Sequence, residues 1–264
     1  MHKLDDPKLL AQCKCIKNMI AQIAQDPKYQ NRYYAKTYHH WKVSPSAKLS
    51  EIEAYEAYAG VTLPEEYVYY LTQVGKGGAC PGTIFYDFDP EIGKKEDTLK
   101  FTSESLCEIM GEEEWEEKFG EENFPKDGIM HLCDMDITYL AYLIVSGPLA
   151  GHVVYLDYNC DTAPMWPKGC PDFLTWCEAF YSELLAGYDI NPTWKVMWMQ
   201  PGDTADLIEA FYTETNMEYR KEILQSFIKF PALPKQAKGF LHSVAEPEFK
   251  EIAHSVLEYF QKKA

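Results

Sequence analysis

The amino-acid sequence predicts an α+β fold, a small antiparallel sheet flanked by helices, with an N-terminal helical arm and an all-helical C-terminal tail. Three observations carry this expectation. Apolar residues recur at helical spacing near both ends of the chain, strand-rich segments cluster in the middle with two of them joined by a turn-rich loop, and strand signals stop from Pro192 onward. Hydrophobic residues make up 46% of the chain, including 19 Tyr and 6 Trp, so a substantial core can form.

The elements follow in order. Leu9, Leu10, Cys13, Ile16, Ile20 and Ile23 share one helical stripe, with Asp5 or Asp6 as cap and Pro7 in the first turn. A Tyr-rich stretch with His39-His40 and then a linker-like Val43-Ser-Pro-Ser46 complete the arm, residues 1–48. Ser50 is the expected N-cap of a helix running through Ala59 to Gly60, and Pro64 opens a second that ends near Gly75. Strand composition marks Thr83–Phe88, Ile129–Leu132, Tyr139–Val145 and His152–Tyr158, the last two forming a hairpin across residues 146–151. Phe173, Trp176, Phe180 and Leu184 stripe a further helix over 172–185. In the tail, residues 188–264, Leu207 to Tyr212, Ile223 to Ile228 and Phe249 to Phe260 read as short antiparallel helices punctuated by Pro231, Pro234 and Pro247. Tyr219-Arg220 returns as Phe249-Lys250, a hint of a helical repeat.

Charge is distributed unevenly. Residues 1–48 carry 9 Lys+Arg against 3 acids, residues 188–264 carry 9 against 11, and residues 49–187 carry 7 against 27, a balance of −20. Such a field repels nucleic acid and anionic membrane and steers a basic protein partner inward. The competing reading is that the acids only keep the chain soluble. The longest apolar run, Tyr139 to Val145, is far below the roughly 20 residues that cross a bilayer. Asp5, Asp6, Lys14 and Lys17 deny the N-terminus the apolar centre of a signal peptide, so a cytoplasmic location is expected. The 8 cysteines include no Cys-x-x-Cys pair, and Cys13 and Cys15 point to different sides of a helix. Reduced, buried thiols are therefore expected, with no metal and no cofactor.

Two groups of residues are candidates for binding a partner. The first is Glu112, Glu113, Glu114, Glu116 and Glu117, within a stretch from Asp87 to Asp127 that holds 15 acids and 5 Lys. These carboxylates could imitate a phosphate backbone before a cationic active site, or form a solvated helix whose Trp115 and Phe119 face the core. The second is Asp157 and Tyr158 with Trp166, where exposed aromatics beside carboxylates suit a hot spot, although Trp166 could equally cap the core. Catalytic patterns are weak. Gly75, Gly77 and Gly78 follow a helix and enclose Lys76, which makes a turn rather than a phosphate loop. His131 and Cys133 would share one strand face with Asp134 on the other, so no triad is expected from them.

Residues 49–187 resemble the SUKH superfamily, which includes fungal cell-wall regulators and bacterial immunity proteins. One block is Ile52 to Glu56, Gly60, Leu63-Pro64-Glu65-Glu66-Tyr67, Leu71 and Gly77-Gly78; the other is residues 143–148, Gly151-His-Val-Val-Tyr-Leu-Asp157 and Phe173-Leu-Thr-Trp176. Lys76 departs from the family's Asn, and the acidic insertion at 111–122 is not a general family feature. The resemblance implies an α+β fold without catalytic chemistry and, by analogy with bacterial members, binding and neutralising a cognate toxin, in some cases a nuclease. A HEAT-like tail would be a compatible second module. The alternative is a regulatory scaffold that makes its contacts through the helical segments.

Overall fold

The computed structural model describes residues 2–30, 35–88, 117, 128–159, 162–190 and 194–263. The architecture is α+β, with a three-stranded antiparallel sheet among helices. Helix α1 spans Pro7–Gln25, with the Asp6 carboxylate accepting from the Lys8 and Leu9 amides as its cap. A short α2, Pro27–Gln30, precedes a π-helical turn at Ala35–His39. The buried stripe of α1, Cys13, Ile16, Ile20 and Ile23, belongs to the same core as Ile52, Tyr67, Leu71 and the sheet residues Ala141 and Leu143. Tyr29 donates to the Leu184 carbonyl oxygen at 2.9 Å, and Gln12 donates to Glu178 at 2.9 Å. The expected arm is thus a wall of the main core.

Helix α3, Leu49–Ala59, begins two residues earlier than expected: Ser50 lies inside the first turn, and the Glu51 carboxylate accepts from the Lys48 amide at 2.8 Å. Helix α4 is Glu65–Gln73, preceded by Pro64. Gly78 then takes φ +99°, with its amide and carbonyl both paired to Phe85 at 2.9 and 2.7 Å. Among the described residues, the segment 83–88, expected as a strand, makes only this isolated bridge. It runs along the free edge of β1, its Thr83 and Tyr86 amides donating to the Asp134 and Leu132 carbonyl oxygens. A bulge in β1 breaks the even spacing that a full ladder requires.

Strands β1 (Ile129–Asp134), β2 (Tyr139–Ile144) and β3 (Val153–Asp157) pair in sequence order. One face presents Ala141, Leu143, Val153 and Tyr155 to the main core, where α5, Phe173–Leu185, covers it. The Trp176 indole donates to the Tyr155 hydroxyl at 2.7 Å. The other face holds a smaller core of Ile129, Ile144, Val154 and Leu156 beneath Trp166.

Beyond α6 (Trp194–Trp198), helices α7 (Thr204–Thr213), α8 (Met217–Ser226), α9 (Lys235–Ser243) and α10 (Pro247–Lys263) gather around a separate core of Leu207, Phe211, Phe227, Phe240 and Phe249. Asp203 and Asn216 cap α7 and α8. Helix α9, between Pro234 and Pro247, was not visible as a stripe of its own. Tail and sheet region are joined by polar contacts: Lys229, fully buried, donates to Glu183 of α5 and to the Gln200 carbonyl, and Lys168 pairs with Glu222 at 2.8 Å.

The Gly78 bridge supports a specific expectation. A Cβ there would stand 2.3 Å from the Lys42 carbonyl oxygen at a φ that L side chains avoid, whereas Gly60, at φ +68°, has open space. Gly78→Ala should cost about 2 kcal/mol or more, by clash added to strain, and Gly60→Ala about 1 kcal/mol by strain alone. Urea midpoints of the two variants check the ranking; equal losses would refute the close approach.

Candidate partner-binding site

The chain places the expected binding residues very differently from one another. Glu112, Glu113, Glu114 and Glu116 lie outside the described residues, and Glu117 is exposed. Tyr158 is exposed at 69%. Asp157 and Trp166 are buried, at 6% and 9% exposure, which corrects their assignment to a binding surface. Asp157 turns its carboxylate back to the Asn159 amide at 3.1 Å, closing the end of β3. Met165 pairs by both backbone groups with Tyr155, at 2.8 and 2.9 Å. This contact extends the edge of β3, and Trp166 packs with the small core that contains Val154 and Leu156.

Between His131 and Cys133 the β1–β2 register shifts. Alternation would have sent His131 and Asp134 to opposite faces, but one extra residue returns them to the same face, and His131 Nε2 lies 3.0 Å from Asp134 Oδ1. This corrects the expectation that Asp134 points away from His131. Cys133 is fully buried on the core side, away from the pair.

Tyr86 arrives from the edge segment. Its hydroxyl donates to Asp134 Oδ2 at 2.9 Å, and its ring stands 4.8 Å from the His131 ring, which in turn lies 5.0 Å from Tyr142. Partial burial pushes the Tyr86 hydroxyl up to about 12, with the Asp134 carboxylate adding to it, and burial lifts Tyr142 to about 12. Burial lowers the His131 pKa against the opposing pull of Asp134, so the imidazole is neutral at pH 7. The result is a carboxylate held by the Tyr86 hydroxyl, with His131 Nε2 3.0 Å away, at one end of the sheet.

The turn beyond Asp134 carries Ile137, exposed at 94%, while Met135 and Asp136 donate their amides to the Tyr139 carbonyl. The Tyr158 amide donates to the Thr138 carbonyl at 2.7 Å, which sets Tyr158 beside that turn. Tyr86, itself 48% exposed, thus meets Asp134, while Ile137 and Tyr158 stand out from and beside the turn that follows. Sequence reasoning missed Tyr86 and Ile137 because each is an ordinary apolar or aromatic residue in its own segment. The bulge that assembles the group has no residue signature.

Thiol chemistry is suppressed where the thiols are buried. Burial pushes Cys13 and Cys170 up to about 12 and Cys80 and Cys177 well above the ordinary thiol range, so these side chains stay protonated and weakly nucleophilic. Among the described residues, no group of three His, Cys, Asp or Glu side chains is arranged to hold a metal ion, and no helix is long and apolar enough to cross a membrane. The chain matches no protein-family model, no curated protein and no solved structure.

Proposed function

We propose that the chain is a non-catalytic protein-binding protein that receives a basic partner on its acidic region. The partner class is a toxin that it neutralises, as the resemblance to bacterial SUKH proteins implies. The observation that carries the reading is the charge asymmetry, 27 acids against 7 Lys+Arg over residues 49–187. Long-range attraction of this kind raises encounter rates with a cationic surface and fades with salt. A nuclease suits it, because its own active site must attract phosphates.

The test is co-expression with the toxin encoded beside this chain. Survival of the cells and co-elution from a sizing column, with an association rate that falls steeply between low and high salt, are expected. Unchanged killing and separate elution would defeat the proposal.

A scaffold reading has its own support in the separate core of the tail and in exposed Tyr212 and Met217, at 67% and 48%. Deleting residues 192–264 is a poor test of it, since this strips Lys229 from buried Glu183. Tyr212→Ser combined with Met217→Ser leaves that contact intact. Lost binding in this folded double variant would favour the scaffold.

A further inference from the structure

We infer that the end of the sheet formed by Tyr86, Asp134, Ile137 and Tyr158 is the docking face for a loop of a basic protein that presents an arginine beside an apolar side chain. The inference rests on the proposed reception of a basic partner and names where and how it docks.

Three properties of the face select this occupant. Its large side chains are held outward: Ile137 is 94% exposed at the head of a turn, Tyr158 69% and Tyr86 48%. Isolated exposed apolar residues are ordinary, but here the Tyr86 hydroxyl bonds to Asp134 and the Tyr158 amide to the Thr138 carbonyl, which brings both tyrosines to the turn that carries Ile137, and tyrosines of this kind anchor interfaces. The Asp134 carboxylate is already oriented by the hydrogen bond from the Tyr86 hydroxyl, so it does not have to be ordered on binding, while its side chain keeps 32% exposure. A carboxylate oxygen accepts more than one hydrogen bond, so Oδ2 can take a further donor beside the Tyr86 hydroxyl.

Arginine fits this arrangement better than lysine. A planar guanidinium can lie flat on the exposed face of Tyr86 and direct its N–H groups to Asp134, while a compact ammonium can do only the second. Charge complementarity points the same way at the turn itself, where Asp136 follows Asp134 two residues on beside exposed Ile137. The neighbouring apolar residue of the loop would settle on Ile137 and Tyr158. His131 stays neutral and so does not repel the incoming cation.

The experiment uses the full chain and a displayed library of random twelve-residue peptides. Enriched peptides are expected to place Arg next to Leu, Ile or an aromatic residue. Measured by fluorescence anisotropy, their affinity should fall at least tenfold for Tyr158→Ser with Ile137→Ser and for Asp134→Asn, and several-fold when the peptide's Arg becomes Lys. Thermal melts check that the variants fold, and Ile137→Ser alone, at the most exposed of these positions, serves if Asp134→Asn disturbs the turn. If basic peptides bind wild type and variants equally, this face is wrong while reception of a basic partner stands. Enrichment without basic residues would sink both.

Discussion

Lys229→Ala is expected to destabilise the fold by about 3–5 kcal/mol, because it leaves the Glu183 carboxylate buried without its cation. Lys229 is wholly buried and Glu183 is 7% exposed; the ammonium also donates to the Gln200 carbonyl, and Glu183 accepts from the Gly202 amide at 2.9 Å. Burial dominates both groups, lowering the Lys229 pKa and raising that of Glu183 in spite of their mutual attraction. Desolvation therefore outweighs the ion pairing, and the contact's main effect is to fix how the tail seats against α5. Replacing both partners by apolar side chains, Lys229→Met with Glu183→Leu, should recover most of the loss. The sign with pH also follows. In Lys229→Ala the burial of Glu183 is opposed only by the Gly202 amide, so the folded variant holds its proton at higher pH than the unfolded chain does. Its deficit should narrow as pH falls from 7 towards 5. Urea unfolding at both pH values measures this, and a single variant within 1 kcal/mol of wild type would contradict it.

Acidification should weaken the native chain through His39. This side chain is 4% exposed, and burial, aided by the neighbouring His40 charge, lowers its pKa from 6.5 to about 4. Its Nδ1 accepts the Trp41 amide at 3.0 Å, a bond that the imidazolium cannot keep, and its ring meets the Trp41 ring at 4.8 Å. The π-helical turn and the positive φ of His40 and Trp41, 49° and 56°, depend on that contact and on the Trp41 indole donating to the Tyr29 carbonyl. A lowered folded pKa means the contribution is fully present above pH 6.5 and is lost as pH falls towards 4. The loss should be about 2 kcal/mol by pH 5 and about 3 kcal/mol once both states are protonated. His39→Gln should flatten this part of the profile between pH 7.5 and 5, leaving a contribution of the same sign from His131, whose pKa is lowered too. An unchanged slope in the variant would place the acid sensitivity elsewhere.

The helices were legible wherever a stripe and a cap coincide. Asp6 with Cys13, Ile16, Ile20 and Ile23 marked α1, and Phe173, Trp176, Phe180 and Leu184 marked α5, because a helix buries a face whose period is written in consecutive residues. The β2–β3 hairpin was legible for the same local reason, strand composition around a turn-rich loop. Segment 83–88 was misjudged as a strand because strand composition reports side-chain preference, whereas a ladder needs an edge in register. Asp157 and Trp166 looked like surface anchors, but whether a carboxylate or an indole faces solvent depends on which edge the following chain pairs with.

From residue order alone came the α+β class, the helical periodicities, the hairpin and the concentration of acids between the two ends, all of them properties of neighbouring residues or of composition. Tertiary structure decided that the first helix lines the main core, that Lys229 meets Glu183 across 46 positions of sequence, and that a bulge brings His131 and Asp134 together under Tyr86. Those contacts join residues distant in sequence, or hinge on a single-residue register shift. Their free energies are settled by burial and geometry that no local pattern encodes.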